Sequence, residues 1–391
     1  DLRLSASAGI LNTDLDITDY YLYQGYYTYN NGAWYSWADG ALVHTFDRRR
    51  GDNPNMKFPK RKEFNINLEG GLYNNLITFN TSYFFNRMSG GLVQAATQYP
   101  MYFMTGWPVY SDLPYINYNS DERRGVDFGI NLNKQINRTF VSLGFNGMYY
   151  TTKATKRDEL YQFSYQNRAG KPLDAIWGLQ HDGFYMSQTD IGNSPLSSFG
   201  EVKPGDIKYK DQNGDKKIDG NDRVYLGSPD PKYIFGLTTN MSYKNFDLSL
   251  FFQGAAKVKG YLWGEAIGGI SGSDKPTTIY ADRFNAETNP NGSMPRALTS
   301  WSQNNPSGTP SDFWIQNASY LRLKNITFGY TLPKSFTDRI GIKGAKLYYS
   351  GQNLLTFTGF AKGFDPEAPA DSRGNYYPQV KTNVFGVNVN F

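Results

Sequence analysis

Along much of this chain apolar and polar residues alternate one for one. In EFNINLEGGLY, Phe64, Ile66, Leu68 and Leu72 alternate with Asn65, Asn67 and Glu69. Past an Asn74-Asn75 turn, LITFNTSYFF sets Ile77, Phe79, Tyr83 and Phe85 against Thr78, Asn80 and Ser82. GVDFGINLN and FVSLGFNGMYY repeat the pattern about a turn near 135–137, and YIFGLTTNMSY and FDLSLFFQG repeat it about Lys244-Asn245. KNITFGYTL and AKLYYSGQNLL follow, and NVFGVNVNF closes the chain with Phe385, Val387, Val389 and Phe391 in register. Period two means strands with one apolar and one polar face.

Such strands suit a sandwich, where the apolar face packs on a second sheet. They equally suit a membrane barrel, where that face meets lipid and the polar face lines a wet lumen. Two features favour the barrel. The polar faces are built of Asn, Ser, Thr and Gly with charges near strand ends, and the connections alternate between very short and very long. The expected fold is all-β, an antiparallel transmembrane β-barrel with about ten spanning strands. They fall near 1–11, 61–73, 76–92, 117–134, 137–154, 231–243, 246–259, 317–332, 344–358 and 379–391. The segment 157–230 then becomes one long extracellular excursion, and the Tyr-rich YYLYQGYYTY (20–29) reads as β-structure within a loop. Ten strands enclose too little volume for loops of this size.

Composition agrees with strands and turns: 31 Tyr, 26 Phe and 40 Gly among 391 residues. The mean hydropathy is −0.58, and no run of 18 apolar residues marks a transmembrane helix. The absence of Cys excludes disulfides, thiolate metal sites and Cys nucleophiles. The net charge of +5 is mixed in sign. The densest basic spots, DRRRGD (47–52) and TKATKRDE (152–159), read as solvated loops, so no nucleic-acid partner is expected. DLRLSASAGIL opens in mid-alternation with no leader pattern, and reads as the later part of something larger.

Candidate chemistry is concentrated in YKDQNGDKKIDGNDR (209–223). Numbered from Asp211, oxygen-bearing side chains fall at positions one, three, five, nine and twelve: Asp211, Asn213, Asp215, Asp219 and Asp222. Lys217, at seven, offers its backbone carbonyl, and Ile218, at eight, anchors the loop inward. This is EF-hand-type spacing with Asp in place of Glu at twelve, and it predicts a structural calcium site. Lys216 stands at position six, where the sharp turn favours a positive φ and hence glycine. The simpler alternative is an Asp/Asn/Gly surface turn needing no ion. Seven tryptophans, Trp34, Trp37, Trp107, Trp177, Trp263, Trp301 and Trp314, offer flat faces for cargo, although loop packing uses such side chains more often. His44 and His181 are the only histidines, and neither sits in a catalytic motif. HDGFY (181–185) reads as loop hydrogen bonding. No enzyme is expected.

Several blocks resemble the SusC-like TonB-dependent transporters of Bacteroidota: GDIKYKDQNGDKKIDGNDRVYLGSPDPKYIFGL (205–237), NASYLRLKNITFGYTLP (317–333) and GQNLLTFTGFAKGFDPE (351–367), with NPNMKFPKRKEFNINLEGGLYNNLITFNTSYFFNR (53–87) and the terminal Phe391. The matches run in order along nearly the whole chain. Two departures stand out: Phe58-Pro59 where the family carries Trp and Glu, and Lys216 where its calcium-type loop carries Gly. The resemblance implies a 22-stranded outer-membrane barrel, of which this chain holds about the last ten strands, with long loops extracellular and the C-terminus periplasmic. The plug and TonB-box do not appear in this sequence, so TonB would act through a part outside it. The implied partners are a SusD-like lipoprotein lid, glycan or oligopeptide cargo and outer-membrane lipid. A dimer of SusC–SusD pairs fits the same resemblance. A SusC-like barrel that no longer imports and acts as a scaffold of a surface complex is the alternative.

Overall fold

The fold is that of a computed structural model. It describes every residue except 15–16, 18, 37–39, 101–111, 263–277, 298–304 and 369–376. Among the described residues one sheet dominates, ten strands in chain order, each antiparallel to the next. We label these wall strands β1 (Leu2–Asn12), β2 (Lys60–Leu72), β3 (Ile77–Val93), β4 (Ile116–Ile136) and β5 (Thr139–Lys156). The second half comprises β6 (Tyr233–Tyr243), β7 (Phe246–Ala256), β8 (Tyr320–Thr331), β9 (Gly344–Thr358) and β10 (Thr382–Asn390). The expected meander of ten strands is what the structure contains.

One rim carries the turns 73–76, 137–138 and 244–245 and the short connection 332–343. Asn74, Asn75, Asn137 and Lys244 adopt φ values of 55°, 63°, 53° and 52° there, the left-handed conformation that tight hairpins require. The opposite rim carries 13–59, 94–115, 157–232, 257–319 and 359–381. Within the first of these, Tyr26–Ser36 pairs with Leu42–Arg50 as a separate hairpin off the wall, so 26–29 of the Tyr-rich segment is strand, and the basic spot at 47–50 is strand with Arg50 buried instead of a solvated loop.

Register converts the period-two pattern into two continuous faces. Ile66, Tyr83, Val126, Tyr149 and Tyr233 align strand by strand. Two steps further from the loop rim than the intervening row, Phe79, Ile130, Phe145, Leu237 and Phe252 do the same. Phe128 lies over Gly147 in the row between. Neighbouring rings meet along this face: Tyr149 and Tyr233 at 4.8 Å, Phe246 and Tyr330 at 4.6 Å, Tyr349 and Phe385 at 5.1 Å between centroids. Cross-strand aromatic pairs of this kind stabilise a sheet by about 0.2–1 kcal/mol each. The other face is mainly polar, with Phe84, Met148, Ile234 and Phe251 among its side chains. Asn80, Gly129, Asn146, Gly236, Gln253 and Arg322 form one of its rows.

The hydrophobic core lies off the wall, among the long connections. Leu179, Ile207, Tyr209, Ile218, Val258, Leu262, Tyr280, Trp314 and Phe360 pack together as a cap, with Ala255 at the rim of β7.

Candidate functional site

The loop rim is assembled from short strand pairs. Ile176–Gly178 pairs with Val224–Gly227, His181–Phe184 with Ile207–Tyr209, and Lys259–Tyr261 with Ile315–Asn317. Trp314 fills the centre and donates its indole N–H to the Ser307 carbonyl at 3.0 Å. Beside it the fully buried Asp206 carboxylate receives Arg296 Nη2 at 3.1 Å, the Ser307 hydroxyl at 3.1 Å and the Lys203 backbone N–H at 2.8 Å. Tyr209 donates its hydroxyl to the Pro306 carbonyl at 2.6 Å, and burial pushes that hydroxyl well above the usual phenol range. These bonds tie the connection 157–232 to 257–319 across about a hundred residues of sequence. A buried network of this type favours one arrangement, because breaking the bonds to Asp206 would leave an unpaired buried carboxylate.

Residues 211–222 form a closed turn at the edge of this cap. Asp211 accepts the backbone N–H groups of Gly214 at 2.7 Å and Lys216 at 2.8 Å. Asp215 accepts from Lys217 N–H, and Asn213 donates to Asp215 through its side-chain amide. Asp219 accepts from Asn221 N–H at 2.7 Å. Asp222, fully buried, accepts from Gln212 and Asp219 N–H and so clasps the end of the loop to its start. Lys216 takes φ 62°, the conformation expected of a position-six glycine, and Gly214 takes φ 78°. Ile218 is buried in the cap core, and its strand Lys217–Ile218 runs parallel to Leu196–Ser197. Burial, followed by the Asp211 and Asp219 charges, raises the Asp222 carboxyl against its backbone hydrogen bonds. Burial and then the four loop carboxylates raise Tyr165, whose hydroxyl donates to the Asn221 carbonyl at 2.7 Å. Among the described residues no three carboxylate or imidazole groups already converge as a metal cage. In the structure the loop oxygens are turned onto N–H donors instead.

A second cluster joins two of the sequence blocks. Arg322, on the inner face of β8 and 3% exposed, donates to Asp365 at 2.8 Å, Glu367 at 2.9 Å and Thr356 at 2.9 Å. Lys324 Nζ reaches Glu367 at 2.6 Å and Gln379 at 3.2 Å. A bulge at Lys324 shifts the register, so that Lys324 and Asn325 both turn inward. Burial opposes ionisation of Asp365, but Arg322 together with the Gln379 and Glu367 N–H groups holds its carboxyl below the usual range. The pairing of SYLRLK with FDPE was not legible in the sequence. Its signal is two cations on one strand face and two carboxylates in the following connection.

His181 pairs with Asp312 through Nδ1 at 2.9 Å, and its backbone N–H reaches the same carboxylate at 2.7 Å. The partner is a distant loop residue and not the adjacent Asp182. Trp177 meets Tyr225 edge-on. Trp37, Trp107, Trp263 and Trp301 lie outside the described residues. Below the cap the inner wall forms a groove of about 610 Å³ lined by Asn80, Asp127, Asn131, Asn146, Thr238 and Gln253 among others. Its lining mixes these polar groups with Met148, Ile234 and Phe251, and the Asp127 carboxylate accepts from the Ser82 hydroxyl.

No family model matches the chain. Among curated proteins it is 30% identical to TonB-dependent receptor P3 of Formosa agariphila over 87% of its length. It is 26% identical to TonB-dependent receptor SusC of Bacteroides thetaiotaomicron over its full length. It spans 35% and 38% of those two relatives. Among solved structures, the RagAB peptide importer in an open-open state superposes with a TM-score of 0.72 at 21% identity, over 100% of this chain and 40% of that one. The RagAB peptide transporter gives 0.69 at 22% identity. The structural matches show that the wall shares the fold of those importers. The relatives are receptors and transporters of the outer membrane, not enzymes. The chain belongs to the SusC-like TonB-dependent receptors and corresponds to the C-terminal part of their barrels.

Proposed function

We propose that this chain forms part of the wall and the outer mouth of an importer that carries glycans or oligopeptides across the outer membrane. The long connections face outward, the C-terminal rim faces the periplasm, and a SusD-like lipoprotein covers the cap as a lid. The observation that carries the reading is the asymmetry of the two rims. The long connections leave one rim, and 157–232, 257–319 and 359–381 share a cored mouth above the inner wall, while the other rim has tight turns and the connection 332–343. Peptide import by the RagAB neighbour favours oligopeptide cargo. TonB supplies energy through residues outside this sequence. Strands beyond the ten complete the barrel by pairing with β1 and β10, which have one neighbour each here.

The test is affinity purification of the tagged receptor from outer membranes, with and without residues 178–226, alongside growth on peptide or glycan as sole nutrient. We expect a lipoprotein to co-purify, and both its retention and growth to fail together when the segment is removed. A lipoprotein that stays bound while deletion of the receptor leaves growth on every large nutrient unchanged would overturn import in favour of the scaffold alternative.

The loop 211–222 is proposed to hold a structural calcium through Asp211, Asn213, Asp215, the Lys217 carbonyl, Asp219 and Asp222. Supporting this are the ligand spacing, the left-handed Lys216 and the buried Asp222 carboxylate, which has no cationic partner among the described residues. At external concentrations a site as weak as about 10⁻⁴ M would be filled. Because the folded state raises the Asp222 pKa, its contribution to stability is complete at acid pH and falls as pH rises through the raised value. Calcium should therefore stabilise the loop more at pH 8 than at pH 5. Equal thermal shifts at both values, or none, would contradict the assignment. Asp211→Ala combined with Asp215→Ala should abolish the calcium response.

A further inference from the structure

The outward face of the wall changes character just below the loop rim. Tyr83, Tyr149 and Tyr233 mark the edge of the apolar rows, with Phe64 and Phe85 one step closer to the loops. Arg124 shares that step, opposite Phe85. In the next outward row Lys62 stands opposite Arg87, Arg87 opposite Glu122, and Glu122 opposite Lys153. All four cations are exposed. On the inner face at the same height Arg61 pairs with Glu63 and Arg157 with Asp121. The outward four have no such partner among the described residues, and Glu122 stands between Arg87 and Lys153 without bridging to either. Lys257 extends the belt at the end of β7, its ammonium 5.4 Å from the Tyr233 ring centre.

Lys62 and Arg87 stand directly across from each other and repel, and Glu122 is a single carboxylate beside Arg87 and Lys153, so the belt keeps an excess of positive charge. The ends of long cationic side chains snorkel from an apolar band toward a membrane interface. Their position at the loop rim, with aromatic rows immediately below, fits a lipid whose acyl chains lie on the rings and whose anionic headgroup meets the belt. The row crosses three inter-strand spacings, about 14 Å in all, wide enough to engage both ends of a disaccharide headgroup. The cations lie on β2 to β5, flanked on both sides by wall strands, so strands that close the barrel would not cover them.

We propose that Lys62, Arg87, Arg124 and Lys153 form a lateral binding site for the phosphorylated glycolipid of the outer leaflet, of the lipid A class. The site rests on the outward orientation of the loop rim proposed above. The binding assay is nevertheless read in detergent, where orientation plays no part, so the two can fail separately.

The test uses the complete receptor, purified in detergent and offered lipid A with its phosphates, dephosphorylated lipid A, or phosphatidylglycerol, with retained lipid counted by native mass spectrometry. Phosphorylated lipid A should be retained at least tenfold better than the dephosphorylated form, and it should resist displacement by phosphatidylglycerol. Arg124→Gln should weaken retention about fivefold, as expected for one interfacial cation. The combination of K62Q, R87Q, R124Q and K153Q should reduce phosphorylated lipid A to the level of the dephosphorylated form. Equal retention of the two lipid A forms by the unaltered receptor would overturn the proposal, whether or not the variants fold. Equal displacement by phosphatidylglycerol would overturn the assignment to glycolipid.

Discussion

Leu237, at the middle of the wall, is 39% exposed, whereas Trp314, at the middle of the cap, is 1% exposed. The wall turns most of its apolar side chains outward and its Asn, Thr and Gln inward, while the cap buries its apolar side chains and holds its buried carboxylates on a cation, as at Asp206, or on backbone N–H groups, as at Asp222. The two regions obey the same rule, that apolar area avoids water, in different surroundings. For the wall the apolar phase is lipid, so neighbouring strands suffice. For the cap the apolar phase has to be built from the chain itself, and loops from distant positions must meet.

That contrast predicts where substitutions act. The largest effect is expected in the cap core. Trp314→Ala should cost about 3–5 kcal/mol, seen as faster hydrogen exchange over 176–227 and 306–318, with the heat-resistant barrel intact. If exchange in β6 and β7 rose equally, cap and wall would be one cooperative unit. In the wall the face decides the outcome. Leu237→Arg should destabilise the barrel by about 2–4 kcal/mol, as for a cation at the lipid midplane. Its neighbour Thr238→Arg, facing the lumen, should stay within about 1 kcal/mol in a folding titration. Equal costs at the two positions would dissolve the distinction between faces.

The junction of wall and cap should show a pH dependence. Asp365 has a depressed folded pKa, so its contribution is present above the unfolded carboxyl value and is lost as pH falls through the folded one. Protection of 359–368 against exchange should persist at pH 5 and disappear well below pH 4. Asp365→Asn should remove this dependence and cost about 1–3 kcal/mol at neutral pH, by weakening the charged bond to Arg322. The smallest effect is expected at Lys216. Its φ of 62° suits glycine, and Lys216→Gly should stabilise the loop by about 1 kcal/mol, measured as a small rise in melting temperature. A loss of stability would mean that the Lys216 side chain contributes contacts outweighing its backbone strain.

The wall was legible in the sequence because its rule is local. Phe64, Ile66 and Leu68 announce their face within five residues, and the turn residues Asn74 and Lys244 stand where the hairpins close. The ten strands and their order follow from that pattern, whereas the pairing of Tyr26–Ser36 with Leu42–Arg50 does not. The cap was not legible in this way. Asp206 meets Arg296 and Ser307, and His181 meets Asp312, across spans that period and propensity do not reach. The loop 211–222 falls between: its oxygen spacing and inward Ile218 were readable, whereas the clasp from Asp222 to Gln212 depends on the folded turn. For Arg322 and Glu367 the residues were inside recognised blocks, but only folding brings strand and loop together.

The most direct test of the two-faced wall is a spin-label scan along β6 in the complete receptor reconstituted into bilayers. The sequence contains no Cys, so single cysteines at 234–242 label cleanly in this part of the receptor. Accessibility to oxygen should peak at positions 235, 237, 239 and 241, and accessibility to a polar nickel complex at 234, 236, 238, 240 and 242. A scan without this two-residue alternation, or one with the phases exchanged, would contradict the account.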